Sequence, residues 1–134
     1  MIPQRGRLLG SIQLACRVKP LQRPRLFTSA RSLQRVYQPL ENQRELRALM
    51  AERPPLGIDR AVIVDSYVTF KKSDRFELPA SRYWGDEDNL RCAINNALQA
   101  TDMILDDGLV LGGENMKLFG AEDSVEIMIY EVAA

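Results

Sequence analysis

The sequence predicts a mixed α/β (α+β) domain, a small mixed β-sheet packed with two helices. Three observations predict it. Two segments, 41–52 and 88–100, carry apolar residues at helical spacing. Several shorter segments, led by 60–71, alternate or run apolar over strand length. Prolines and glycines punctuate the intervals between them. At 134 residues the chain is long enough for one domain with one core, spanning 1–134.

Leu8 to Cys16 reads as the first strand, and residues 1–7 ahead of it as a disordered start. Residues 17–39 follow as an extended basic loop. Pro20 and Pro24 argue against a helix there, and Val36-Tyr37 is a short strand candidate before Pro39. Leu46, Leu49 and Met50 mark one face of a helix over 41–52, which Arg53-Pro54-Pro55 stops. In 60–71, Val62, Val64, Val68 and Phe70 alternate with Asp65 and Thr69. A loop over 72–87 holds the single tryptophan, Trp84. Asp88 then opens a second helix running to about Ala100. Leu90, Ala93, Ile94, Ala97 and Leu98 form its core stripe. After a loop with Asp106-Asp107, two strands are expected, near 112–119 and 124–132.

Composition excludes several functions. The chain is 46% apolar and 27% charged, ordinary for a globular domain. No apolar run approaches the roughly 18 residues of a membrane span. With no histidine, His-based acid–base chemistry, Ser-His or Cys-His nucleophiles and His-ligated zinc are excluded. Cys16 and Cys92 form no disulfide or zinc pattern, which suits a reducing, intracellular setting. A metal site would be built from carboxylates, favouring Mg²⁺ or Mn²⁺.

Charge is split along the chain. Residues 1–60 hold twelve Lys and Arg against four acids, and residues 61–134 hold six against fourteen. No acid precedes Glu41. A polyanion partner for the first half and a cation site in the second would explain the split. Mixing of both halves on one folded surface would cancel it. The acid-free start also has the composition of an organelle transit segment. Prolines 3, 20 and 24 and the strand at 8–16 oppose the long amphipathic helix such a segment needs.

Asp86 and Asp88 lie two apart ahead of a helix. In extended chain, i and i+2 point to one side, so both could address one ion. Asp88 is expected at the helix N-cap, where free N–H groups favour an anion such as phosphate. Asp106-Asp107 brings further acid from a separate loop. Converging carboxylates repel unless a divalent cation neutralises them. Taken singly, however, an Asp before a helix is commonly a cap and Asp-Asp-Gly an ordinary turn.

The run Asp86-Glu87-Asp88-Asn89-Leu90, a helix with Ala97-Leu98, then Leu105-Asp106-Asp107, is similar to the signature of the RusA family of Holliday junction resolvases. Lys19-Pro20 through Arg23-Pro24-Arg25, followed by Arg35-Val36-Tyr37-Gln38-Pro39, looks like that family's basic loop. The resemblance covers about residues 8–132. It implies a homodimer that binds four-way DNA junctions and makes paired symmetric nicks in recombination and repair. It implies a cytoplasmic protein of a prokaryote or phage, acting at the nucleoid, with no membrane partner. It implies Mg²⁺ (or Mn²⁺), catalysis by Asp86, Asp88 and Asp107, and a supporting metal ligand in Asp106. DNA-binding candidates are Arg17, Lys19, Arg23, Arg25, Arg31, Arg35, Arg82, Arg91 and Lys117, the last where family members often carry a basic residue. Phe27, Tyr37 and Trp84 are wedge candidates at the crossover, against the commoner role of aromatics as core.

One position departs from the pattern. Cys92 stands where the family usually has a lysine, four residues after Asp88. On a helix the two lie one turn apart on the polar face. A neutral thiol cannot offset charge on a phosphoryl group as an ammonium does. Arg82 and Arg91 are the nearest substitutes in sequence. Three functions therefore stand open: a metal-dependent junction endonuclease, a junction-binding protein with impaired catalysis, and a structural domain whose acids are caps and turns.

Overall fold

A ten-residue strand, β4 (Val62–Lys71), forms the axis of the fold. Val62, Ile63, Val64, Asp65, Ser66, Val68 and Phe70 in it are buried. It has paired strands along both edges, and its residues Val62, Val64, Val68 and Phe70 face the core. The structure, a computed structural model, describes residues 2–21, 25–29, 32–36 and 41–133, with backbone alone for 25–29, 32–36, 41 and 42.

Two long strands complete the antiparallel side. β7 (Ser124–Ala133) pairs with β4, and β1 (Gln4–Leu14) pairs with β7. On the other side, β5 (Val110–Gly112) and β6 (Asn115–Gly120) both pair parallel to β4. A parallel neighbour needs a crossover connection. Here it contains the helix α2 (Glu87–Ala100). With α1 (Glu41–Ala51) beside α2, the result is a five-stranded mixed sheet and two helices in one small α+β domain. The predicted fold class is the observed one.

The core lies between the sheet and the helices. Ile12, Leu14, Val64, Phe70, Val125, Ile127 and Ile129 face Leu46 and Met50 of α1 and the stripe Leu90, Ala93, Ile94, Ala97 and Leu98 of α2. The helical spacing of that stripe predicted the buried face directly. Thr101 ends the helix by donating its hydroxyl to Ala97 O at 2.8 Å. The chain then reverses at Asp102 with φ 58° and runs beside Ile58, bonding Ile58 N–H to Met103 O and Leu105 N–H to Ile58 O.

Four boundaries differ from the sequence expectation. Residues 4–7 are strand, not a disordered start, because β7 is long enough to pair Gln4 with Ala133 and Arg5 with Val132. The 17–39 segment is not wholly an extended loop. It contains an antiparallel hairpin of β2 (Arg25–Ser29) and β3 (Ser32–Val36), in a separate two-stranded sheet. The helix N-cap is Asp86 rather than Asp88, so α2 starts two residues earlier, at Glu87. The final segment holds three strands rather than two, since Gly112 and Gly113 separate β5 from β6.

Candidate metal and nucleic-acid site

The approach to α2 is built from a short 3₁₀ turn, Arg82–Trp84, capped by the Ser81 hydroxyl, which accepts from Tyr83 N–H at 3.0 Å. Trp84 is 5% exposed and packs 5.1 Å from Phe70 and 5.2 Å from Phe119 between ring centroids. Gly85 follows with φ 99°, a conformation glycine adopts without steric cost. A Cβ there would also press on Pro20 at 3.1 Å. This turn lifts the chain out of the core, so Asp86 and Asp88 are both exposed.

Asp86 has extended backbone, and its carbonyl accepts the Leu90 N–H at 3.0 Å, but its carboxylate makes no capping hydrogen bond. Asp88 lies in the first helical turn. Both acids sit where the helix dipole favours negative charge. Glu87 between them is paired with Arg91 one turn on. Arg91 is therefore engaged by the motif's own middle residue. Cys92 is exposed, one turn beyond Asp88, on the polar face as expected.

Strand β6 grips this turn from the side. Asn115, Lys117 and Phe119 alternate onto one face of the strand. Asn115 Nδ2 donates to Glu87 O at 3.0 Å, Lys117 Nζ donates to Gly85 O at 3.0 Å, and Phe119 packs on Trp84. The carbonyls on either side of Asp86 are thus both held. Asn115 is itself fixed by the buried Ser66, whose hydroxyl donates to Asn115 Oδ1 at 2.6 Å.

The second acidic pair lies elsewhere. Asp107 N–H donates to Gln99 Oε1 at 2.7 Å, at the C-terminal end of α2. Eleven residues of helix between Asp88 and Gln99 amount to about 16 Å of axis. Asp106 caps its own 3₁₀ turn, Oδ1 accepting the Gly108 N–H at 2.9 Å. Among the described residues no three His, Cys, Asp or Glu side chains gather as a metal-holding group. Mg²⁺, however, keeps several waters and takes only one or two protein carboxylates beside substrate phosphate. The exposed Asp86–Asp88 turn fits that smaller requirement; Asp106 and Asp107 stand apart from it.

The basic candidates fall in several places. The Arg17 guanidinium lies 5.2 Å from the Trp84 ring centroid and 5.6 Å from that of Phe70. Lys19 and Arg82 are exposed. Arg25 and Arg35 fall within the hairpin, Arg25 opposite Val36 and Arg35 opposite Leu26. Their side chains, with Arg23, Arg31, Tyr37 and the Phe27 ring, lie outside the described residues. Trp84 is core and cannot wedge into DNA from its buried position. Tyr83 beside it is 65% exposed and stacks on Phe76 at 5.6 Å.

Sequence reading missed a second polar centre. Asp65, 4% exposed, takes two hydrogen bonds of 2.7 Å from Arg5 and one of 2.8 Å from Glu114 N–H. Burial pushes its carboxyl up, but the Arg5 and Glu114 bonds outweigh burial and hold it below its usual range. Tyr67 donates to Glu114 Oε2 at 2.7 Å, a bond that helps push its phenol up to about 12. The aspartate's place in an apolar strand was the available signal; its partner is 60 residues away.

No protein-family model matches the chain, and no curated protein matches it significantly. No helix of the described residues is long and apolar enough to cross a membrane.

Proposed function

We propose that the protein is a divalent-metal-dependent endonuclease that resolves four-way DNA junctions. The observation that carries the reading is the exposed Asp86-x-Asp88 turn at the start of a long helix, held on both sides of Asp86 by strand β6. Its sequence and spacing resemble the RusA signature, in an α+β frame that accommodates it. Asp86 and Asp88 would hold Mg²⁺ or Mn²⁺. The cation, when bound, supplies water activation and charge stabilisation at phosphorus. In the reaction, water adds to the phosphorus, one P–O ester bond breaks, and the leaving oxygen takes up a proton. The chain's part is to aim two carboxylates, keep Glu87 neutralised by Arg91, and present basic residues such as Lys19, Arg82 and the hairpin's Arg25 and Arg35 to the DNA backbone. Such contacts give affinity and salt dependence rather than base readout. A homodimer encoded by a prokaryote or a phage, making paired nicks in the cytoplasm in recombination and repair, belongs to the same proposal.

The test is cleavage of a synthetic four-way junction with Mg²⁺ or Mn²⁺, comparing wild type with Asp88→Asn. Metal-dependent nicking by wild type alone is expected. Equal nicking by both, or none by either, overturns the proposal.

A second reading is favoured by Cys92 and by the position of Asp107: a junction-binding protein with impaired catalysis. It expects tight, structure-selective binding with no turnover, which sustained nicking by wild type would eliminate.

A further inference from the structure

We infer that Lys117 is the phosphate-facing cation of the Asp86–Asp88 turn and takes the place of the ammonium that Cys92 lacks. The inference rests on the proposed endonuclease reading and names a role within that site.

An ammonium has three N–H donors and its pull is strongest on groups it can reach without water between. Lys117 spends one donor on Gly85 O, at 3.0 Å, the carbonyl immediately before Asp86. Among the described residues no other hydrogen-bond or ion-pair partner of its amine is present. The side chain is half-buried, pinned between a sheet strand and the helix start, so its charge is delivered with little freedom. Strand alternation places Asn115 two residues away on the same face, bonded to Glu87 O. The two side chains bracket Asp86, and only Lys117 adds positive charge.

The other cations near the motif are placed differently. Arg91 is held by Glu87. Arg17 lies over the Trp84 and Phe70 rings. Arg82 is exposed, at the far end of the 3₁₀ turn from Asp86. A phosphate meeting the free carboxylates through a cation would therefore find the Lys117 amine fixed beside the same turn. There it offsets charge that grows on the phosphoryl oxygens as the P–O bond breaks. Asn115 is a positioning residue, acting through the Glu87 carbonyl.

The experiment compares wild type, Lys117→Met, Lys117→Arg and Lys117→Met combined with Cys92→Lys. Thermal melting first confirms that each folds. Junction affinity is measured without metal over a range of salt, and nicking with Mn²⁺. Lys117→Met is expected to reduce the salt slope of binding by about one, as the loss of one phosphate contact should. It is expected to lower kcat by about a hundredfold, the scale of one lost stabilising donor, with KM rising only as far as junction affinity falls. Lys117→Arg, and Cys92→Lys added to the Lys117→Met variant, should each recover much of the rate. An unchanged salt slope overturns the inference, as does a wild-type rate in Lys117→Met or failure of the Cys92→Lys rescue. If wild type nicks nothing, the endonuclease reading falls and the catalytic role with it. The salt slope then decides alone whether Lys117 faces phosphate. Should Lys117→Met fail to fold, Lys117→Gln carries the same comparison.

Discussion

Arg5 grips Asp65 with two hydrogen bonds of 2.7 Å, Nε to Oδ2 and Nη2 to Oδ1, tying the first strand to the middle of the fourth. The carboxylate is buried while the guanidinium is partly open to water. Its carboxyl is held below the usual range, so the stabilisation is complete above the ordinary carboxylate value of about 4 and is lost as pH falls through the lower, folded value. Asp65→Asn keeps one oxygen as acceptor for Glu114 N–H, but it removes the charge and turns the other oxygen into an N–H donor, so one of the two Arg5 bonds is lost as well. It should cost about 1–2 kcal/mol at pH 7, reduced from a fully buried pair by solvent around Arg5. The gap between wild type and variant in urea denaturation should close towards pH 3 and below. A gap independent of pH would contradict the assignment.

Some of this was legible in the sequence and some was not, for physical reasons. The α2 stripe from Leu90 to Leu98 is a local period, so five spaced residues suffice to place a buried face. The Asp86–Asp88 turn is local too, although the cap fell on Asp86 once Gly85 ended the preceding turn. The Arg5–Asp65 pair depends on β1 and β4 flanking the same strand, β7, which no local pattern encodes. Asp107 is far from Asp88 because the chain after α2 runs beside Ile58 before it joins the sheet. The Lys117 contact needs the parallel register of β6 on β4, Val68 opposite Lys117.

Gly113 is fixed by close approach. A Cβ at this position would lie 1.9 Å from Val64 O, and its φ of 145° strains any other residue. Gly113→Ala should therefore destabilise the fold by at least about 3 kcal/mol, combining backbone strain with a steric clash. A melting temperature like that of wild type would refute the close approach of the β5–β6 link to the central strand.

The two neighbouring aromatics ahead of the acidic turn should behave oppositely. Trp84→Ala opens a cavity among Phe70, Phe76 and Phe119 and should cost about 3–5 kcal/mol. Tyr83→Ala, at an exposed position, should cost about 1 kcal/mol or less, including its stacking on Phe76. Urea denaturation of the two variants reads the difference. Similar losses would mean that Tyr83 belongs to the core.

A metal titration should separate the acids that the sequence had grouped. Under the proposed function, Asp86 and Asp88 hold the cation, while Asp107 is anchored on Gln99 at the other end of α2. Asp88→Asn should weaken Mn²⁺ binding by about tenfold or more in calorimetric titration. Asp107→Asn should leave it unchanged. Equal loss in both would mean that the 106–109 turn moves to the helix start when the cation binds.

The two cysteines offer a chemical test of the departure at position 92. Cys16 is buried, and burial pushes its thiol up to about 11, so it should resist alkylation near neutral pH. Cys92 is exposed and should be modified alone, giving one labelled thiol per folded chain by mass. Alkylation with 2-bromoethylamine converts it to a thioether bearing an ammonium at nearly the reach of lysine. If the missing charge limits the cutting of junctions, aminoethylated protein should nick about tenfold faster or more, within the range for one added stabilising group. Iodoacetamide, which adds a neutral amide at the same sulfur, should give no gain. Equal rates after both treatments would mean that the turn already has the cation it needs, which is the outcome a fully effective Lys117 would produce. The aminoethylation gain should then appear only in the Lys117→Met variant.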